Sequence, residues 1–239
     1  MILKHQIKPQ VYNSLDEICR TAVNIILENL EANALSIIVP GGNTPRFLFN
    51  LLAKVDIDWS ASCLILSDER MVPLDHRDSN YGMINELLLK KLSAKSKPMI
   101  IPDMKKFNKM QKNDFLNLTN SLLKEKLPIK HAFLGIGADG HTASLFPENV
   151  NDSIINGPFY YTKKQGDLYK RMTLSMEVLK SIPDITFLVS GKSKHTPLKA
   201  IINGDKKNDK SPVHQLINEA QGQVSILCDQ KAWPVKVNA

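Results

Sequence analysis

Cysteine is scarce in the 239-residue chain: Cys19, Cys63 and Cys228 are odd in number, widely spaced and without a CxxC or Cys/His cluster. That argues against a disulfide framework and a zinc site, and predicts three reduced core thiols. Long apolar runs are absent too. No stretch approaches the roughly 20 apolar residues that span a bilayer, and Met1-Ile2-Leu3-Lys4-His5-Gln6 lacks the apolar region and cleavage site of a signal peptide. The expectation is a cytoplasmic protein with no membrane partner. His5, His76, His131, His195 and His214 form no ligand pattern, so no metal is expected. There is no Walker lysine motif, no GxSxG nucleophile elbow, no internal repeat and no low-complexity tract.

What is present is an ordinary globular composition, 43% hydrophobic and 23% charged, with a formal net charge of +7. Such a charge suits nucleic acid, an acidic membrane surface or a small anionic substrate, and its location decides among them. Much of it lies in Lys90-Lys91, Lys95 and Lys97, Lys105-Lys106, Lys124 and Lys126, and Lys206-Lys207 with Lys210, which read as solvated helix ends and loops. With no recognisable nucleic-acid motif, no nucleic-acid partner is expected. The length fits one large α/β domain or two small ones; one domain over 1–239 is the reading favoured here.

Elements alternate along the chain. Ser14-Leu15-Asp16-Glu17 has the form of a capping box, followed by Leu15, Ile18, Ala22, Ile25 and Ile26 at helical spacing. Leu35 to Val39 predicts a strand, broken by Pro40-Gly41-Gly42-Asn43 before Thr44-Pro45, an N-cap with proline at the first helical position. Cys63 to Leu66, His131 to Leu134, Ile185 to Val189 and Val224 to Cys228 predict further strands, with helices across Ser79 to Leu92 and Lys194 to Ile202. Within Pro98 to Ile129, Phe115, Leu118, Leu122 and Leu123 mark one face of a peripheral helix, and Pro147 to Lys164 reads as a loop covering the site. Short apolar strands between helical patterns predict an α/β fold: a Rossmann-like, mostly parallel sheet with helices on both faces. Functional loops of such sheets gather beyond the carboxyl ends of the strands.

The polar clusters sit at those ends. Gly41-Gly42-Asn43-Thr44 leads into a helix N-terminus, whose free N–H groups suit a phosphate or an oxyanion, although a tight structural turn explains the glycines as well. Gly135-x-Gly137-x-x-Gly140 formally matches a dinucleotide fingerprint, but Asp139 and His141 would crowd a pyrophosphate and no ribose-binding acid follows. Asp68-Glu69-Arg70 places three ionisable groups at the crevice: Arg70 for a phosphate and Asp68 to orient substrate or loops, with an exposed turn as the plainer reading. Lys194 is a second cation for the same phosphate, with Lys192 as its rival. His141 is the best acid/base candidate because an imidazole titrates near pH 6.5, and Asp139 could orient it or the water. Ser144 lacks the context of a nucleophile, and Asp78-Ser79-Asn80 reads as a helix cap.

Three segments together carry a resemblance: Pro40 to Pro45, Ser67-Asp68-Glu69-Arg70-Met71-Val72-Pro73 with Asp78-Ser79-Asn80, and Leu134 to Pro147. They resemble the 6-phosphogluconolactonases, which share a family with the glucosamine-6-phosphate deaminases. The likeness extends to Arg171-Met172-Thr173, similar to the family's Arg-x-Thr strand, and to Ser190-Gly191-x-x-Lys194. Asp139-Gly140-His141 is common to both branches, whereas Thr142 to Pro147 and Arg70, in place of a tyrosine, are similar to the lactonase branch. Asn43 stands where the family often has serine, and Pro98 to Ile129 lacks the expected acidic pattern. The resemblance implies the deaminase and ribose-5-phosphate isomerase fold. The implied reaction is cofactor-free hydrolysis of 6-phospho-D-glucono-1,5-lactone to 6-phospho-D-gluconate, in the oxidative pentose phosphate pathway. It adds Arg171 to the expected binding residues, and a monomer is the simplest state. The rivals are a sugar-phosphate deaminase or isomerase, and a catalytically silent sensor or nucleic-acid module.

Overall fold

A computed structural model describes residues 7–30, 35–149, 157–203 and 211–234. The Met1 to Gln6 segment, the Lys206-Lys207-Lys210 cluster and part of the Pro147 to Lys164 stretch lie outside those residues. The first half of the chain runs β1 (Lys8–Tyr12), α1 (Leu15–Leu30), β2 (Ser36–Val39), α2 (Asn43–Leu52), β3 (Cys63–Leu66), β4 (Asp68–Arg70), α3 (Asn80–Leu87), β5 (Met99–Ile101) and α4 (Lys112–Lys124). The second half runs β6 (His131–Leu134), β7 (Phe159–Thr162), β8 (Arg171–Leu174), α5 (Met176–Lys180), β9 (Asp184–Val189), α6 (His195–Ile202), α7 (Pro212–Glu219) and β10 (Gln223–Asp229).

Among the described residues, seven strands form one sheet in the order β1-β10-β9-β6-β2-β3-β5, with every pair parallel. Helices flank it. The central strands were legible as apolar runs because both faces of a parallel sheet are covered: all four residues of β3 and of β6 are buried. Phe49, Trp59, Phe133 and Phe187 fill the core, and the three cysteines are free and buried within it, as expected. Burial pushes each thiol up to about 12. Ser14 caps α1 as expected, its Oγ accepting from Glu17 N–H (3.3 Å), while the Glu17 carboxylate accepts from Asn13 N–H (2.9 Å), one residue before the cap, and not from Ser14 itself.

Four expectations need correction. The edge strands β1 and β5 had no apolar alternation to announce them: β1 begins Lys8-Pro9-Gln10, and β5 is three residues long. The stretch read as a covering loop contains β7, which joins β4 and β8 in a second, antiparallel sheet of order β4-β8-β7. α2 is capped at Gly42, with no side-chain cap bond, so Thr44 lies inside the first turn rather than before it. On α4 the buried stripe is Phe115, Thr119 and Leu123, with Leu118 half-buried to one side; the Thr119 hydroxyl satisfies itself on Phe115 O (2.8 Å).

Candidate active site

The sheet order reverses between β2 and β6. From β2 the chain proceeds outward through β3 to β5, and from β6 it proceeds the other way through β9 and β10. Loops leaving the carboxyl ends of two strands that diverge in this way open a crevice between them. Here those loops are Pro40 to Thr44 and Gly135 to His141. They line a cavity of about 430 Å³, together with Ser67, Asp68, Arg70, Asn80, Ala143, Arg171, Ser190 and Lys194. Of the residues singled out in the sequence, Gly41, Gly42, Asn43, Thr44, Asp68, Arg70, His141, Arg171 and Lys194 all line this cavity. Asp139 does not line it; it stands behind His141. Lys192 is not among the lining residues.

The second sheet supplies the cationic wall. Side chains alternate along a strand, so Asp68 and Arg70 of β4 share one face while Glu69 turns to the other. Antiparallel pairing sets Arg70 directly opposite Arg171, and Asp68 opposite Thr173. Two like charges facing each other across a strand pair repel, an arrangement that suits an anion between or above them. Arg70 Nη1 donates to Asp78 O (2.9 Å) and Asn80 Oδ1 (3.0 Å), and among the described residues no carboxylate lies within ion-pair distance of it. Arg171 is clasped by Asp167, with Nε at 3.0 Å and Nη2 at 2.5 Å from Oδ2. Its Nη1 faces Asp68 at 3.9 Å.

Glu69 corrects the reading of three ionisable groups gathered at one crevice. Its fully buried carboxylate accepts from the backbone N–H groups of Asn80 (2.8 Å) and Tyr81 (2.6 Å) and from Ser79 Oγ (3.3 Å). It holds the start of α3 instead of facing substrate. Burial pushes this carboxyl up to about 7, against the pull of those N–H donors and with the help of neighbouring Asp68. Ser79 caps α3 as expected, accepting from Gly82 N–H (2.9 Å). Asn80, read only as part of that cap, also donates to Asp68 O (2.8 Å) and so ties Arg70 to the strand that carries it.

His141 closes the opposite side. Its Nδ1 is hydrogen-bonded to Asp139 Oδ1, and its backbone N–H donates to the same oxygen at 3.2 Å. An ionised carboxylate on Nδ1–H leaves Nε2 as the ring acceptor. Burial opposes the charge of Asp139, but hydrogen bonds from Lys164 and His141 hold its carboxyl well below the usual carboxylate range. The imidazole packs 5.1 Å from the buried Phe146 ring. The following turn places Ala143 at φ 49° and directs Ser144 inward, where its N–H donates to Thr173 Oγ1 (3.1 Å) and its Oγ to Asp68 Oδ2 (2.5 Å). Asp229, at the end of β10, accepts from Ser190 Oγ (2.6 Å) and Gly191 N–H, shaping the turn before Lys194. Lys194 Nζ then reaches Ile136 O at 2.7 Å. Its pKa is lowered by burial, with Asp139 opposing.

A family model described as glucosamine-6-phosphate isomerases/6-phosphogluconolactonase matches residues 10–226. The chain belongs to this family. A 6-phosphogluconolactonase of Helicobacter pylori is 30% identical over 168 residues, covering 69% of this chain and 71% of that protein. The 6-phosphogluconolactonase 3 of Saccharomyces cerevisiae is 32% identical over 202 residues, 77% of each chain. The solved 6-phosphogluconolactonase of Trypanosoma cruzi superposes with a TM-score of 0.79 at 25% identity, covering 97% of both chains.

Four residues of this family member escaped the sequence reading: Asn80 on Arg70, Ser144 as an anchor between Asp68 and Thr173, Asp167 on Arg171, and Lys164 on Asp139 (2.7 Å). The last two lie between β7 and β8, where neither periodicity nor a motif marks individual side chains.

Proposed function

We propose that the chain hydrolyses 6-phospho-D-glucono-1,5-lactone to 6-phospho-D-gluconate in the oxidative pentose phosphate pathway, with His141 as general base. The observation that carries this is the pairing of His141 with an ionised Asp139 in the same cavity as the opposed Arg70 and Arg171. The substrate needs cations for a dianionic phosphate at one end, and a base for water at an ester carbonyl at the other. Arg70, Arg171, Lys194 and the N-terminus of α2 at Gly41 to Thr44, which has no side-chain cap bond, supply the first. Asp68, bonded to Ser144 and facing Arg171, holds that cationic wall in register with the catalytic loop.

His141 Nε2 takes a proton from water as its oxygen bonds to C1, and negative charge collects on the carbonyl oxygen. Collapse breaks the bond from C1 to the ring oxygen. The imidazolium returns its proton to that oxygen, leaving an open-chain acid. Asp139 keeps Nδ1–H in place and stabilises the imidazolium between the two transfers. No step of this route calls for a cofactor. The protein acts as a single-domain, cytoplasmic monomer on a small molecule, with no nucleic-acid or membrane partner; the contiguous core among the described residues supports the domain reading.

Hydrolysis of freshly made lactone, corrected for the spontaneous reaction, tests the proposal. His141→Ala should lower kcat by roughly 10²- to 10⁴-fold, the usual contribution of a positioned base, with the melting temperature retained. Arg70→Ala should chiefly raise KM. Near-full activity of the histidine variant, or ammonia release from glucosamine 6-phosphate by the wild type, would overturn the reading.

A further inference from the structure

Asp139 and His141 share one loop, yet the contact that completes them comes from between β7 and β8. Lys164 Nζ donates to Asp139 Oδ2 at 2.7 Å, while Oδ1 receives His141 Nδ1 and the His141 backbone N–H. Each carboxylate oxygen therefore has its own cationic or ring donor. Lys164 Nζ also stands 5.3 Å from the centroid of Phe146, the ring against which His141 packs. The same carboxylate and the same aromatic ring hold both side chains, although Lys164 does not line the cavity.

We propose that Lys164 is a positioning residue for lactone hydrolysis: it fixes Asp139 so that one oxygen meets His141 Nδ1, and its charge offsets part of the carboxylate's pull on the imidazolium. The inference rests on His141 being the general base. A bare carboxylate against an imidazole raises its hold on a proton, and a base that keeps its proton too firmly returns it poorly to the leaving ring oxygen. A cation on the far oxygen counters that effect while preventing the carboxylate from rotating. Lys164 is about one-third exposed, so solvent screens part of its charge. The other charged groups that line the cavity with His141 are Asp68 and Arg70 from β4, Arg171 from β8 and Lys194 from the turn after β9. None of these other side chains hydrogen-bonds Asp139 among the described residues.

The test compares Lys164→Met, Lys164→Gln and Lys164→Arg with wild type and His141→Ala, measuring kcat and KM for the lactone across the acid limb of the pH profile. Lys164→Met should lower kcat about tenfold, a fraction of what a positioned base contributes. It should also move the acid limb of kcat to higher pH, with KM within about twofold. Lys164→Gln, which keeps a donor but no charge, should show the moved limb with less loss of kcat. Lys164→Arg should restore both. If the methionine variant does not fold, the glutamine variant carries the same decision. A raised KM with an unmoved limb would make Lys164 a substrate contact and overturn the proposal, as would wild-type kcat and profile in both uncharged variants. If His141→Ala stays active, the base assignment itself fails; if it is inactive while the uncharged variants match wild type, only the role of Lys164 fails.

Discussion

At Gly137 an added Cβ would lie 2.0 Å from His141 Nδ1 and 2.2 Å from its Cε1, closer than real Cβ contacts come. The glycine is there so that the imidazole can lie against the loop backbone and still meet Asp139. Gly137→Ala should therefore push the ring off the carboxylate and lower kcat by about 10²-fold, near the lower end of losing the base itself, with little change in KM. Steady-state kinetics on the purified variant check this; wild-type kcat would show that the ring has room. Gly41 plays a comparable part, since a Cβ there would fall 2.0 Å from Asn80 Oδ1, the atom that receives Arg70. At this scale the sequence disclosed His141, Asp139 and Arg70 because their neighbours in the chain form compact motifs. It did not disclose Asn80 or Lys164 as site residues, because they act through partners 10 and 25 residues away in the chain, nor Asp167, which lies only four residues before Arg171 but in a connection that no periodicity or motif marks.

Among elements, β4 shows how three adjacent charges part company. Period-2 alternation sends Asp68 and Arg70 to the cavity and Glu69 to the start of α3, where two backbone N–H groups and a hydroxyl surround it. Burial raises the folded carboxyl from 4.5 to about 7. The folded chain thus holds that proton more tightly than the unfolded chain does. Stability from this group is full below about pH 4.5 and is lost as pH rises through 7. Thermal melts across that window should fall more steeply with pH for wild type than for Glu69→Gln; parallel slopes would contradict the assignment. The central strands were legible for the same reason that they are central: both faces are covered, so both are apolar. The β4-β8-β7 sheet was not, because its residues divide between cavity and core: Asp68 to Arg70 stood out as a charge cluster and not as a strand, and Arg171 to Thr173 only through resemblance.

For the whole molecule, the excess of 31 Lys and Arg over 24 Asp and Glu, with Arg70, Arg171 and Lys194 around one cavity, should draw an anionic substrate inward. Screening shortens the reach of such a field from about 30 Å at 0.01 M salt to about 8 Å at 0.15 M. kcat/KM for the phosphorylated lactone should therefore fall severalfold over that range while kcat holds steady. A flat kcat/KM would assign the surface lysines to solubility alone. The central strands β2, β3, β6, β9 and β10 with most of the helices between them, the buried thiols and the loop bearing His141 followed from the sequence by itself, because apolar runs, glycine turns and capping residues act over a few neighbouring positions. The tertiary structure alone decided that the chain reverses between β2 and β6, that Arg70 faces Arg171, that Glu69 leaves the crevice and that Lys164 completes Asp139. Those outcomes depend on strand order and register, which bring together side chains that local spacing cannot pair.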